Sequence, residues 1–309
     1  LETGVIDENS NIYCPGHFEI SGERKYCWKE TGHGKVNLVR SLRESCNVFY
    51  YDLALKVGIK KIAEVARRFG LGEKHDIAMR VENEGLIPSK EWKKRVRDTE
   101  WLIGDTASAA VGQGDVLASP LQLAVMTARM ATGKMVIPNL IVANAPSKRS
   151  TDFIKVTSNP KHLDLIRKAM FDVSNARNGT GYKSRIIDDK FRMAGKTGTS
   201  QLFTISKTER KKGIISNEDR EWHRRDHALY VCFAPYKKPK VAVAVVVEHG
   251  GSGSRAAAPI ARDILLQALH NGKPPLTAYP VKDRESIKER QDALSEQLPN
   301  LTGSENFEI

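Results

Sequence analysis

Three groups of residues in this 309-residue chain have types and spacings suited to chemistry. The first is Met193-Ala194-Gly195-Lys196-Thr197-Gly198-Thr199-Ser200. On a strand edge, Gly198 leaves room for a substrate backbone. Thr197 and Thr199 offer hydroxyls to a carboxylate, and Lys196 adds a fixed positive charge. Alone, the same residues also read as a strand with a bulge glycine. The second is Ser45-Cys46-Asn47, between two helical stretches. A hydroxyl and an amide on one side of a short turn can shuttle a proton and orient a substrate amide. Alone, they also read as a helix cap. The third is Cys14, Cys27, His33 and Cys46, spaced C-x12-C-x5-H-x12-C. Three thiolates and an imidazole form a closed structural zinc set. His17 is the alternative nitrogen ligand, a Cys14–Cys27 disulfide is the rival reading, and plain burial of Cys46 is another. Because Cys46 lies inside Ser-x-Asn, a metal there would pin Ser45 and Asn47.

These groups need elements to position them. Residues 1–37 read as a loop-rich opening segment, and 1–47 as the zinc-binding part of the chain. Residues 38–70 read as helical, from apolar positions recurring three to four apart, with Gly58 and Gly70-Leu71-Gly72 as breaks. Residues 73–106 read as a polar surface excursion. Ser119-Pro120 opens a helix over Leu121–Ala131, closed by Gly133. Another helix is expected over Pro160–Val173, capped by Ser158. After Asn178-Gly179-Thr180-Gly181 the pattern becomes strand-like, with antiparallel strands predicted at 191–203, 228–235 and 240–248. Ala256–His270 reads as a final amphipathic helix, and 271–309 as a polar, disordered tail. Helices, a strand meander and a terminal helix make an α+β domain over 1–270, with helices packed on an antiparallel sheet.

Composition narrows the class. The net charge of +12 suits an anionic partner. Apolar runs are too short to span a membrane, the longest being Val241–Val247. Four cysteines are too few for a disulfide scaffold of this size, and Cys232 reads as core. The basic stretch Lys207–Arg225 carries Trp222, but Glu209, Glu218, Asp219 and Glu221 are interleaved. A solvated strand-connecting loop therefore fits better than a nucleic-acid surface.

Taken together, Ser45-Cys46-Asn47 and Gly195-Lys196-Thr197-Gly198-Thr199-Ser200-Gln201 resemble the class B penicillin-binding transpeptidases. Ala109-Ala110-Val111-Gly112-Gln113-Gly114 and Ser119-Pro120-Leu121-Gln122 look like that family's helix leading under its active site. Gly32-His33-Gly34-Lys35-Val36-Asn37 and Lys273-Pro274-Pro275 have the form of its elongation-specific member. The resemblance runs from Leu1 to about Pro280. It implies an antiparallel sheet flanked by helices, an all-helical lobe, and an active site between them.

It also implies a peptidoglycan D,D-transpeptidase that cross-links stem peptides by acyl transfer from D-Ala-D-Ala and binds β-lactams. By resemblance Ser45 passes a proton, Asn47 holds the stem-peptide amide, and Lys196 supports Ser45. Thr197 and Thr199 bind the terminal carboxylate beside Gly198, and the Thr199 N–H forms half of the oxyanion hole. The expected partners are the rod-shape glycan polymerase and elongation scaffold proteins, on the periplasmic face of the inner membrane. The family's nucleophile lies in a Ser-x-x-Lys that precedes Ser-x-Asn. The sequence matches that spacing only at Ser158-Asn159-Pro160-Lys161, after it. The expectation is that the chain begins just past its nucleophile and is not acylated as given. Two alternatives remain: a D,D-carboxypeptidase or β-lactamase-like hydrolase using water as acceptor, and a non-catalytic zinc-stabilised module that holds stem peptide.

Overall fold

The computed structural model describes residues 1–77, 82–140, 154–203, 209 and 215–301, with side chains to Glu296. Two lobes meet along the strand that carries Lys196.

The sheet lobe is built on β5 (Ala194–Ser200), β6 (His227–Ala234) and β7 (Val241–Val247), antiparallel in the order β5-β6-β7. In this register Lys196 lies opposite Val231 and Thr199 opposite Ala228. Because side chains alternate across a strand, β6 serves two cores. Ala228, Tyr230, Cys232 and Ala234 pack with Ala258, Ala261, Leu265 and Leu266 of the helix Ala258–His270. Phe233 packs the opposite way with Ala194, Ala131 and Met170. Ala131 and Met170 lie on the helices Pro120–Thr132 and Pro160–Asn175. Lys196 is two residues on from Ala194, so it faces the helical lobe.

The N-terminal lobe begins with β1 (Asn11–Cys14), β2 (His17–Ile20), β3 (Glu23–Tyr26) and β4 (Gly34–Asn37). β1 pairs with β4, and β2 with β3 through a two-residue turn. Both turn residues, Ser21 and Gly22, have positive φ, as a tight twisted hairpin requires. Helices follow as α1 (Leu38–Arg43), α2 (Asn47–Val57), α3 (Ile59–Arg68), α4 (Lys90–Arg97) and α5 (Ile103–Ala110). The three helices named above become α6 (Pro120–Thr132), α7 (Pro160–Asn175) and α8 (Ala258–His270). The chain then enters α9 (Arg284–Leu301).

The sheet strands and α6–α8 fall where their periodicity puts them, and Cys232 is fully buried as core. Three details differ from expectation. Residues 1–37 hold four strands, each only four residues long and too short for alternation to register. The stretch 38–70 is helical as expected, in three helices broken at Gly58 and at 44–46, where Ser45-Cys46 separates two of them although no Gly or Pro marks the place. The cap of α7 is Asn159, whose side chain accepts from the Lys161 N–H at 3.1 Å, while Ser158 is exposed. Among the described residues, the chain after His270 forms short turns and a helix to Leu301 and not a loose tail, while residues 302–309 lie outside the described residues. Ala278, Tyr279 and Ile287 join the sheet-lobe core, and the buried Arg262 of α8 donates to Asp283 at 2.5 Å. The polar sequence hid this, because the anchoring contacts are few and join separated positions. Of the basic loop, residues 204–208 and 210–214 lie outside the described residues. The described remainder joins β5 to β6 with Trp222 exposed. Among the described residues, no helix is long and apolar enough to cross a membrane.

Candidate active site

Four consecutive residues, Glu44 to Asn47, are each tied to a different part of the molecule. The Glu44 carbonyl accepts from the Trp28 indole at 2.9 Å. Its carboxylate accepts from Arg40 and Arg43 at 3.0 Å and from the Asn178 amide at 2.8 Å. Burial pushes that carboxyl up, but the two guanidinium groups outweigh it and hold it below its usual range. Ser45 Oγ accepts from Lys196 Nζ at 2.9 Å. Cys46 turns its sulfur into the cysteine cluster. The Asn47 amide donates to the Tyr26 carbonyl at 3.4 Å.

The backbone explains why this turn aims Ser45. The Cys46 N–H bonds the Ser41 carbonyl at 2.8 Å, and the Ser45 N–H bonds the Leu42 carbonyl at 3.3 Å. This pair of bonds is the Schellman ending of a helix, and it puts Ser45 at the position glycine usually fills. Ser45 accordingly has φ 55. A side chain in that left-handed conformation is strained, as residues at functional sites often are. Serine here carries its hydroxyl into the cleft, where glycine would offer nothing.

Lys196 spans the cleft from β5, with Nζ also donating to the Thr197 carbonyl at 2.8 Å. Burial lowers its pKa to about 8, so the ammonium is poised near neutrality. Thr197 Oγ1 lies 2.7 Å from Thr180 Oγ1, and Thr199 is exposed. Gly198 has a packing reason as well as the expected one. A Cβ there would meet Leu229 Cβ at 3.2 Å, and a Cβ on Gly253 would meet the Gly198 carbonyl at 2.3 Å.

The strand pairing of the N-terminal lobe assembles the metal-type cluster. Cys14 ends β1 opposite Gly34, the neighbour of His33, and Cys27 follows the end of β3. Ligand atoms of Cys14, Cys27, His33 and Cys46 lie within 4.8 Å of one another, and all four residues are buried. His33 Nδ1 sits 3.6 Å from Cys14 Sγ and 3.5 Å from Cys27 Sγ. A tetrahedral Zn(S)(N) edge measures about 3.6 Å from ordinary bond lengths, so the donor set fits. Cys46 donates to Cys27, which lowers the Cys27 thiol's pKa and raises its own. Without a cation the buried thiols cannot all ionise together. All four cysteines are free thiols, and His17 is outside the cluster, paired across β2–β3 with Tyr26. Gly16 and Gly32 have positive φ. A Cβ on Gly16 would meet the Glu30 carbonyl at 2.1 Å and one on Gly32 the Cys14 carbonyl at 2.2 Å, so both are needed for the loops to close.

Several contributors escaped the sequence reading. Thr180 bonds Thr197 and, through its N–H, the Arg43 carbonyl at 3.2 Å. Asn178 and Glu44 join that same turn to α1. The dipeptide signals around Gly179 and Gly181 marked a turn there, but nothing local showed what it would touch. Gln122, within the helix-opening motif, is fully buried and donates to the Glu73 and Glu84 carbonyls at 2.8 and 2.7 Å, a structural role.

Within this α+β fold a lysine on a sheet edge thus faces a serine that leaves a helix one lobe away. The chain belongs to the penicillin-binding protein transpeptidase domain family, whose model matches residues 1–266. It is 37% identical over 272 residues to the peptidoglycan D,D-transpeptidase MrdA of Acinetobacter baumannii, covering 84% of this chain and 39% of that protein. It is similar to penicillin-binding protein 2 in complex with MreC from Helicobacter pylori, at 33% identity and TM-score 0.74, covering 86% of this chain and 46% of that one. It is also similar to penicillin-binding protein 2 of Pseudomonas aeruginosa in complex with WCK 5153, at 32% identity and TM-score 0.74, covering 87% and 57%. The chain spans less than half the length of the curated relative.

Proposed function

We propose that this chain is the greater part of a peptidoglycan D,D-transpeptidase domain serving cell elongation. The observation that supports it most is the 2.9 Å contact between Lys196 Nζ and Ser45 Oγ, which joins residues 151 positions apart across the cleft. In this reading the acylated serine belongs to a Ser-x-x-Lys in the upstream part of the full-length protein. Its oxygen attacks the carbonyl of the D-Ala-D-Ala bond, the C–N bond breaks, and D-alanine leaves with a proton relayed through Ser45. The ester is then attacked by an amine of a neighbouring stem, whose proton returns by the same route. Lys196 keeps Ser45 oriented as a donor or acceptor. Asn47 holds the stem amide. Thr197 and Thr199 bind the departing carboxylate along the strand at Gly198, and the Thr199 N–H donates to the oxyanion.

Cys14, Cys27, His33 and Cys46 hold zinc in this reading. The ion supplies the positive charge that lets buried thiolates persist, and Cys46 thereby fixes the turn bearing Ser45 and Asn47. In this reading the protein works on the periplasmic face of the inner membrane. Its partners there are the rod-shape glycan polymerase and a scaffold of the MreC kind, the latter supported by the Helicobacter complex.

The test uses the full-length protein. It should take one equivalent of a fluorescent penicillin covalently, carry one equivalent of zinc, and release D-alanine with formation of cross-linked dimers. Trimmed stems without dimers would instead make it a carboxypeptidase. Absence of covalent label would leave only a stem-binding module and overturn the reading.

A further inference from the structure

We propose that Gln113 is a displaceable latch on the open edge of β5, occupying the backbone acceptor that an acyl-donor peptide takes when it binds. This rests on the transpeptidase reading above and assigns that site a residue of its own resting state.

Among the described residues β5 pairs on one side only, with β6. Its other edge faces the cleft, and Thr199 near its end is exposed. The Thr199 carbonyl accepts from Gln113 Nε2 at 3.0 Å, which shows that this carbonyl points outward, away from β6. An extended peptide adding to a sheet edge uses such outward carbonyls for its own N–H groups. A strand laid there runs about 4.8 Å from β5. That places it across the line from the Thr199 oxygen to Gln113, so the latch and the peptide exclude one another.

Gln113 is carried to this point by a built support. At the end of α5 the Gln113 N–H bonds the Ser108 carbonyl at 3.0 Å, and the Gly112 N–H bonds the Ala109 carbonyl at 3.0 Å. This is the Schellman pattern again, with Gly112 at the left-handed position, φ 70. The space around a Cβ at Gly112 is empty, so the glycine serves the backbone turn and not a close contact. Gly114, φ 73, follows. Ser108 Oγ accepts from Lys25 Nζ at 2.8 Å, which holds this helix end to β3 beside Tyr26, the residue that anchors Asn47. The support is fixed, while the Gln113 side chain has three rotatable bonds with which to leave.

The latch discriminates between ligands. A peptide, or a penicillin with an acylamino N–H in the corresponding place, must break the Gln113 bond and replaces it with its own. A β-lactam bearing a hydroxyethyl group there has no N–H for Thr199, and its freely rotating hydroxyl can donate elsewhere, so it depends less on freeing this carbonyl. One neutral hydrogen bond corresponds to about a 2- to 12-fold change in rate.

The experiment compares full-length wild type with Gln113→Ala, using a fluorescent penicillin and a hydroxyethyl-substituted β-lactam, and reads the second-order acylation rate constants and thermal midpoints. The expected result is a rise of about 3- to 10-fold for the penicillin, with a clearly smaller rise or none for the hydroxyethyl compound and the thermal midpoint unchanged. A fall for both compounds would make Gln113 a strut or a substrate contact and overturn the latch. Equal rises for both, or no change for either, would overturn it too. If wild type is labelled by neither compound, the transpeptidase reading itself fails and the latch falls with it.

Discussion

The two lobes that meet at Ser45 are held by different physics. The sheet lobe has a broad apolar core, running from Phe191 and Met193 through β6 to Leu265, Leu266 and Tyr279. The N-terminal lobe has a small one, and three of its eight buried members, Cys14, Cys27 and Cys46, belong to the sulfur cluster. Its strands are four residues long and pair only in twos, which gives little independent stability. One lobe positions Lys196 by burying surface. The other positions Ser45 by bringing three thiols and an imidazole to one point. A lobe of the second kind should fail abruptly when a ligand is lost, and a lobe of the first kind by degrees.

The four cysteines give the sharpest test of that contrast. Cys46→Ser in the full-length protein should abolish bound zinc, lower unfolding free energy by more than about 4 kcal/mol, and remove penicillin labelling, because a closed zinc site contributes folding energy outright. Cys232→Ser in the sheet lobe adds a buried hydroxyl and should cost about 1–3 kcal/mol with zinc content unchanged. Metal analysis and denaturant unfolding read both. Equal losses from the two substitutions would erase the distinction between the lobes.

Lys196 is the sheet lobe's contribution to the contact, and it should show in pH dependence. Its pKa is lowered from the lysine value of 10.5 to about 8 by burial. Between those values the unfolded chain binds the proton and the folded chain does not, so this group makes stability rise as pH increases from 8 to 10.5. Lys196→Met should flatten that rise and lower acylation by about 100-fold, the loss of one charged donor in a preorganised site. In wild type, acylation should fall as pH climbs through about 8, where the ammonium facing Ser45 is lost. Urea midpoints and labelling rates across this range decide it. An unchanged slope in Lys196→Met would place the titration elsewhere.

How much of this was legible in the sequence follows the same division. The sheet lobe announces itself: Val241–Val247, the alternation of β6 and the Pro120 and Gly133 boundaries of α6 are local patterns with local causes. The Cys14, Cys27, His33 and Cys46 cluster was legible as metal-ligand types at a spacing, because thiols and imidazole have few other reasons to gather. The Ser-x-Asn pair was visible, but its geometry was not. Nothing about Ser45 says that it occupies a glycine's conformation, so the break there was legible but not the way its turn aims the hydroxyl. Contacts such as Arg262 with Asp283, or Asn178 with Glu44, join distant positions of ordinary polar type and leave no periodic trace.

The smallest expected effect lies at the seam between the lobes. Thr180 Oγ1 is 2.7 Å from Thr197 Oγ1, while the Thr180 N–H holds the Arg43 carbonyl of α1. Of two hydroxyls in contact, one donates to the other. If Thr197 gives its proton to a substrate carboxylate, it must accept from Thr180, so Thr180 acts through Thr197 as a positioning residue. Thr180→Val keeps the shape and the backbone bond but removes the hydroxyl. Its penicillin acylation should fall by about 2- to 12-fold, the range of one neutral hydrogen bond, through weaker initial binding and not a slower bond-making step. Thr180→Ser should restore it. Adding Thr197→Val to Thr180→Val should cost less than the two separate losses combined, since residues in contact share one interaction. Full additivity would mean that the two hydroxyls work independently, and that the lobes are joined at the active site through Lys196 and Ser45 without help from this turn.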